Sequence, residues 1–259
     1  MNEINWTIFS RDRSCQLELL LRSTKEYYKE YNTTKINVLY TYSTEFFKAG
    51  YDKLIEEYPE INFLKETNFK SDLISLINQK YKYTIFFVDD QLFKEPFSLE
   101  ELPSDFDDIA CVSLRLHPRL DYCYTMNTHM KPTYKTIWEW KKCLCDYGYV
   151  MSLDSHVFLT TEIYSKIFSL HYSNPNSLEG ILACYPINKP CMMCYDKSKT
   201  INNPCNKVQT NNPNRHGNIS AEYLNQEYLN NNIIELDIFR GIDNESCHKD
   251  MPIKLKKKL

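Results

Sequence analysis

Glycine is scarce in this chain, with 5 among 259 residues. The shortage excludes one common nucleotide-binding device. The turn after the first strand-like run reads Ser10-Arg11-Asp12-Arg13 and holds none of the glycines that let a backbone approach a pyrophosphate, which argues against a Rossmann dehydrogenase. Long apolar runs are missing too: none approaches the roughly 20 residues that a membrane helix requires, and the N-terminus lacks the form of a signal peptide. The chain is therefore expected to be cytoplasmic, without a transmembrane segment. Charge of one sign is also lacking. The net charge is -3 and the lysines are spread along the chain, which argues against nucleic acid as a partner. Only the short tail at 254–259 is basic, and it reads as a solvated terminus.

Cysteine, in contrast, is plentiful at 10 residues. With no export signal and a chain far larger than a disulfide-stapled mini-domain, these are expected to be reduced thiols. Cys191-Met-Met-Cys194 has the spacing of half a zinc site, but the only other close pair, Cys143-Leu-Cys145, is not spaced as a zinc knuckle. Packed thiols are the simpler reading.

Hydrophobic patterning gives the fold class. Strand-like runs at 5–9, 36–40, 61–64 and 83–88 alternate with amphipathic stretches at 15–31, 46–55 and 72–78, the last with Ser71 as its expected cap. This alternation predicts an α/β domain with a mixed, mostly parallel sheet flanked by helices. Farther on, strands are expected at 109–114, 149–153 and 233–239, and helices at 161–171, 177–183 and 221–229. The Asn- and Pro-rich stretch 197–218 reads as a loop that closes over a ligand.

Ligands of open α/β sheets bind outside the carboxyl ends of the strands. Four such segments converge: 10–13, 40–42, 65–72 and 89–91. Arg11 and Arg13 suit phosphate, and Asp89 and Asp90 offer hard oxygens to Mg²⁺ or Mn²⁺. The apolar run 83–88 ending abruptly in Asp89-Asp90-Gln91 is the first chemical clue.

The segments FSRDRSCQLELLLRS, FKSDLISLI, FFVDDQLF, GYVMSLDSHVF, NPNSLEG and NRHGN resemble, in order and spacing, a group of small GT-A type glycosyltransferase-like proteins of microbes and large DNA viruses. The resemblance runs from Phe9 to His248. It implies a single GT-A domain over 1–259, with a nucleotide-sugar-binding half at 1–100 and an acceptor-binding half, including a C-terminal lobe, at 101–259. The implied donor is a nucleotide sugar, UDP-linked in the commonest case, and the acceptor is a hydroxyl on a glycan, a protein or a small molecule. Ser10, Arg11 and Arg13 match the nucleotide pocket, Lys70 and Asp72 the position that contacts the base, and Asp89-Asp90-Gln91 the acidic Asp-X-Asp motif. Relatives often carry a third acid where Gln91 stands, so the expected Mn²⁺ (or Mg²⁺) falls to Asp90 with a distant histidine, His216 or else His248.

An inverting transferase needs a carboxylate to deprotonate the acceptor. Glu179 and Asp154 are the candidates, Glu179 having a helix-capping alternative and Asp154 a loop-binding one. Retention is equally compatible with the sequence. Trp138 and Trp140 are read either as a sugar-stacking pair or as packing. A GT-A scaffold that binds a nucleotide sugar or glycan without turnover is the alternative to an enzyme.

Overall fold

The structure, a computed structural model, describes residues 4–208 and 215–258. Its centre is an eight-stranded sheet in the order β3-β2-β1-β4-β10-β6-β11-β9. The first four of these are β1 (Ile4–Arg11), β2 (Ile36–Thr41), β3 (Asn62–Lys65) and β4 (Tyr83–Val88), all parallel. After β5 (Gln91–Phe93) come β6 (Ile109–Ser113), the small hairpin β7 (Tyr122–Cys123) and β8 (Thr128–His129), and β9 (Ile137–Glu139). β10 (His156–Leu159) runs antiparallel between β4 and β6, and β11 (Cys191–Cys194) returns parallel to β6. Short ladders join β12 (Thr200–Asn202) to β5, and β13 (Asn232–Ile234) to β14 (Leu255–Lys257). This is the mixed, mostly parallel α/β sheet that the sequence pattern predicts.

The period of two along the central strands builds a core on each face. Ile4, Trp6 and Ile8 of β1 join Ile85 and Phe87 of β4 on one side. There they meet Leu17 and Leu20 of α1 (Ser14–Tyr27), Tyr51 and Leu54 of α2 (Glu45–Glu57), and Leu224 and Tyr228 of α6 (Ala221–Leu229). Phe9 and Phe86 point the other way. They pack with Leu73 of α3 (Phe69–Leu76), Ile163 of α4 (Thr160–Ser169) and Leu178 of α5 (Pro175–Cys184).

Four expectations need correction. α3 begins at Phe69, and its cap is Asn68, whose side chain accepts from the Ser71 amide, rather than Ser71 itself. Residues 149–153 form no strand, because the Leu153 amide donates to the Glu179 carboxylate instead of to a neighbouring strand. The strand expected over 233–239 stops at Ile234 and gives way to a 3₁₀ turn at Asp237–Phe239. The loop expected over 197–218 contains β12, and 200–206 is buried against the sheet domain, so this part is a packed wall. The ligand-covering role expected of 209–214 lies outside the described residues.

Among the described residues no helix is long and apolar enough to cross a membrane.

Candidate functional site

The end of β1 controls which way each side chain of 10–13 faces. Asp12 adopts φ 55, a left-handed conformation that aspartate tolerates, and its carboxylate accepts from the Ser43 amide at 2.7 Å. The reversal sends Arg11 outward, exposed, and turns Arg13 inward. Arg13 Nη1 donates to Asp89 Oδ1 at 2.9 Å and to Asp90 Oδ2 at 3.3 Å, while its Nε donates to Asn206 Oδ1 at 2.8 Å. Asp89 also accepts from Ser10 Oγ at 2.9 Å and from the Arg11 amide at 3.0 Å. Burial pushes the Asp89 carboxyl above its ordinary value, and the Arg13 charge and hydrogen bonds hold that rise back.

These contacts bear directly on the expected metal. Asp90 Oδ1 accepts from Asn202 Nδ2 at 3.1 Å, and its other oxygen faces Arg13. Gln91 is buried: its oxygen accepts from the Val88 amide at 3.1 Å, and its nitrogen donates to Ser155 Oγ at 3.0 Å. The oxygens of Asp89, Asp90 and Gln91 therefore answer to protein donors, with a guanidinium already supplying the positive charge. This arrangement does not fit Mg²⁺ or Mn²⁺, which need a set of open hard oxygens. His216 is exposed, with Nδ1 2.6 Å from the Gly217 carbonyl, and it lines a different cavity from Asp90. Asp90 and His216 are not brought together, whereas His216 and His248 border one cavity of about 400 Å³.

A cleft of about 230 Å³ opens at the carboxyl ends of β1, β2 and β4. Phe9, Leu39, Phe69 and Val88 give it an apolar floor, and Ser10, Arg11, Arg13, Glu66 and Asp89 supply its polar edge. Lys70 and Asp72 do not line it. Lys70 Nζ donates to the Leu170 carbonyl at 2.6 Å, and Asp72 closes the turn into α3 by accepting from the Thr67 and Asn68 amides at 2.6 and 2.8 Å. Glu66, one residue past β3, is the acid on the cleft wall, and burial raises its pKa from the ordinary value. The rule that strand ends meet the ligand pointed to this segment without choosing the residue.

Residues 174–176 close the far side of the cleft at the start of α5, where Asn174 and Ser177 form a capping box and Pro175 fits the first turn. Glu179 is one turn farther along. It lies past the first turn and caps nothing in α5; instead its Oε1 accepts from Ser152 Oγ and the Leu153 amide, each at 3.0 Å. Nearby, Asp154 Oδ2 lies 3.1 Å from Arg115 Nη1 and 3.5 Å from His248 Nε2. Arg115 is 2% exposed and also reaches Asp146 at 3.5 Å. Neither Arg115 nor Asp146 was signalled by the sequence, since each gains its meaning from contacts distant along the chain.

The two carboxyls are pushed apart. Burial and the adjacent Asp154 raise the pKa of Glu179. Burial also opposes ionisation of Asp154, but the His248 hydrogen bond and the Arg115 charge outweigh it and hold Asp154 below its ordinary value. Of the tryptophans, Trp138 is core: it is buried and donates to the Tyr147 carbonyl at 2.8 Å. Trp140 is partly exposed and donates to the Lys189 carbonyl at 2.7 Å. Cys191 and Cys194 lie in β11, among paired strands.

No protein-family model matches the chain. In its fold it is similar to TarS of S. aureus, with TM-score 0.49 and 10% identity over 77% of this chain and 36% of that one. It is also similar to the bifunctional glycosyltransferase WbbM, with TM-score 0.36 and 12% identity over 71% of this chain and 38% of that one. In sequence it is 36% identical over 137 residues to the bifunctional glycosyltransferase pgtA of Dictyostelium discoideum. That match takes in 49% of this chain and 18% of the Dictyostelium protein, so about half of the chain is similar to a small part of a glycosyltransferase.

Proposed function

We propose that this chain is a glycosyltransferase that takes a sugar from a nucleoside diphosphate and passes it to a hydroxyl, with a UDP-hexose as the donor. The observation that carries this reading is the cleft at the ends of β1, β2 and β4. It sets an apolar floor suited to a base beside two arginines, and α5 runs from its rim to a carboxylate. The similarity to pgtA supports it.

Arg11 is exposed on the cleft edge, its Nε 3.7 Å from Asp12 Oδ2, and its guanidinium can turn to a diphosphate, while Glu66 is placed to accept from the base or the ribose. Glu179 is the better general base, because a raised pKa brings a carboxylate closer to the pH at which it works, whereas Asp154 is tied to Arg115 and His248. In the inverting form of the reaction the acceptor oxygen bonds the anomeric carbon and gives its proton to Glu179. The bond from that carbon to phosphate breaks, and the nucleoside diphosphate leaves with the electron pair. Arg11 and Arg13 offset the charge that develops on it.

Thermal unfolding of the full chain against a panel of nucleoside diphosphates and UDP-sugars, run with Mn²⁺ and with chelator, tests the donor site. Release of nucleoside diphosphate tests turnover. A nucleotide-selective rise in Tm that persists in chelator, with release of UDP, is the expected result. No rise with any nucleotide would remove the donor cleft, and a rise without release would leave a binding protein on the same scaffold.

A further inference from the structure

Beside the proposed catalytic groups lies a cluster that the transfer reaction does not use. Asp146, Cys247 and His248 each offer one ligand atom, and these atoms all lie within 4.8 Å of one another; among the described residues no other group of His, Cys, Asp and Glu does this. The trio draws on two distant parts of the chain. Asp146 belongs to the 3₁₀ turn Cys145–Gly148, and Cys247 and His248 follow the Asn244–Ser246 turn, held to β12 by the Asn202 amide donating to the Cys247 carbonyl at 3.0 Å.

We propose that Asp146, Cys247 and His248 form a zinc site, separate from the Asp89–Asp90 motif, that fastens the C-terminal segment to the turn at Asp146. The donor set of one thiol, one imidazole and one carboxylate is of the mixed kind that zinc accepts, and softer than Mg²⁺ or Ca²⁺ would choose. The spacing suits it. Zn–S and Zn–N bonds of about 2.3 and 2.05 Å at a tetrahedral angle put the two ligand atoms about 3.6 Å apart. Cys247 Sγ and His248 Nδ1 are 3.3 Å apart, close to that spacing, and the Asp146 oxygen, within 4.8 Å of the other two ligand atoms, has to close in to complete the site.

Two further observations point to a ligand here. Asp146 is 5% exposed, and its Oδ2 is buried with no nitrogen or oxygen donor on it, the Cys247 and Cys123 thiols being the groups beside the carboxylate. The other face of the His248 ring is already oriented, with Nε2 3.5 Å from Asp154 Oδ2. A carboxylate behind the imidazole is the usual support of a metal-binding histidine, because it fixes the ring and its tautomer. Arg115 lies against both Asp146 and Asp154 and adds a positive charge, but the carboxyl groups of Asp146, Asp154 and Glu179 surround it, and Cys247 adds a thiolate when a metal displaces its proton. The site can therefore hold a divalent ion without a net excess of positive charge.

The test uses the full chain, stripped with chelator under a phosphine reductant and titrated with Co²⁺ as a spectroscopic stand-in for zinc. The expected result is a saturable spectrum with a thiolate-to-cobalt charge-transfer band and the intense visible bands of a tetrahedral ion, displaced by Zn²⁺, which also raises Tm. Cys247→Ser should abolish the charge-transfer band and weaken binding at least about 100-fold. Asp154→Asn should weaken it about 10–100-fold. Asp90→Asn should leave the spectrum unchanged. A weak octahedral spectrum in the unaltered chain overturns the site, and so does binding that survives Cys247→Ser but is lost in Asp90→Asn. Should Cys247→Ser fail to fold, Asp146→Asn, which keeps the thiol, decides: it must weaken Co²⁺ binding when titrated at a temperature where circular dichroism shows the metal-free variant folded, and unchanged Co²⁺ binding in that folded variant overturns the site.

Discussion

Arg13 and Asp89 form a buried ion pair, Nη1 to Oδ1 at 2.9 Å, just past the point where β1 and β4 lie side by side. Removing one partner of such a pair strands the other's charge, which costs about 3–5 kcal/mol in general. Asp90, 3.3 Å from the same nitrogen, takes up part of that charge. Asp89→Asn is therefore expected to destabilise the protein by about 3 kcal/mol, at the low end of the range, and to weaken nucleoside diphosphate binding by letting Arg13 leave its place on the cleft wall. Urea unfolding and calorimetric titration measure the two effects. A variant as stable as the parent would show that the pair positions Arg13 without supporting the fold.

Glu179 should reveal itself through pH. Its pKa is raised by burial first and by Asp154 second, so the ionised base disappears as pH falls through a value above the ordinary 4.5 of a glutamate. The transfer rate should fall on that acid limb. Glu179→Gln should lower kcat about 10²–10⁴-fold with little change in donor affinity. Asp154→Asn removes the neighbouring negative charge, so the limb should move to lower pH. An acid limb unmoved in the Asp154 variant would mean that another group is the base.

The sequence showed most clearly what local pattern decides. β4 at Tyr83–Val88 and α6 at Ala221–Leu229 fall where their apolar spacing puts them. The segment 149–153 has the same strand-like composition, yet its backbone is claimed by a carboxylate 26 residues away, which no local pattern records. The site divides in the same manner. Ser10, Arg11, Arg13 and Asp89 were legible because strand ends are legible. Asp72, which the resemblance assigns to the base, lies off this cleft, and its carboxylate closes its own turn on the Thr67 and Asn68 amides. Arg115, Asn206 and Asp146 act through partners 31 to 193 residues distant.

His156 sets a second pH response, this one on stability. It lies fully buried, and burial first and the Arg115 charge second lower its pKa from 6.5 to about 3. Between those values the unfolded chain binds a proton that the folded chain refuses, so stability is lost as pH falls below 6.5. At about pH 5 that loss amounts to about 2 kcal/mol. His156→Asn removes the response, and its stability should fall less between about pH 7 and about pH 5, by about the same amount. Parallel slopes in urea unfolding of the two proteins would exclude His156 as the source.

Gly50 is the glycine that the packing of α2 demands. A Cβ there would lie 2.1 Å from Asn225 Oδ1 and 2.3 Å from Ser14 Oγ, inside the contact where Ser14 donates to Asn225 at 2.7 Å and ties α1 to α6. In a helix interior alanine is ordinarily favoured over glycine by about 0.5–1 kcal/mol. Overpacking costs about 1–3 kcal/mol, so the clash wins and Gly50→Ala should destabilise by about 1–2 kcal/mol. It should also weaken nucleotide binding, because Ser14 follows Arg13 and the next residue in α2, Tyr51, shares a 2.7 Å hydrogen bond with Ser10. Gly180 in α5 is the control: nothing lies within 4 Å of its Cβ position, and Gly180→Ala should raise stability by about 0.5–1 kcal/mol. Opposite signs for two identical substitutions in two helices would show that close approach, rather than helix propensity, keeps the glycine at position 50. A shared sign would return the choice to propensity and leave the α1–α2–α6 contact with more slack than its distances imply.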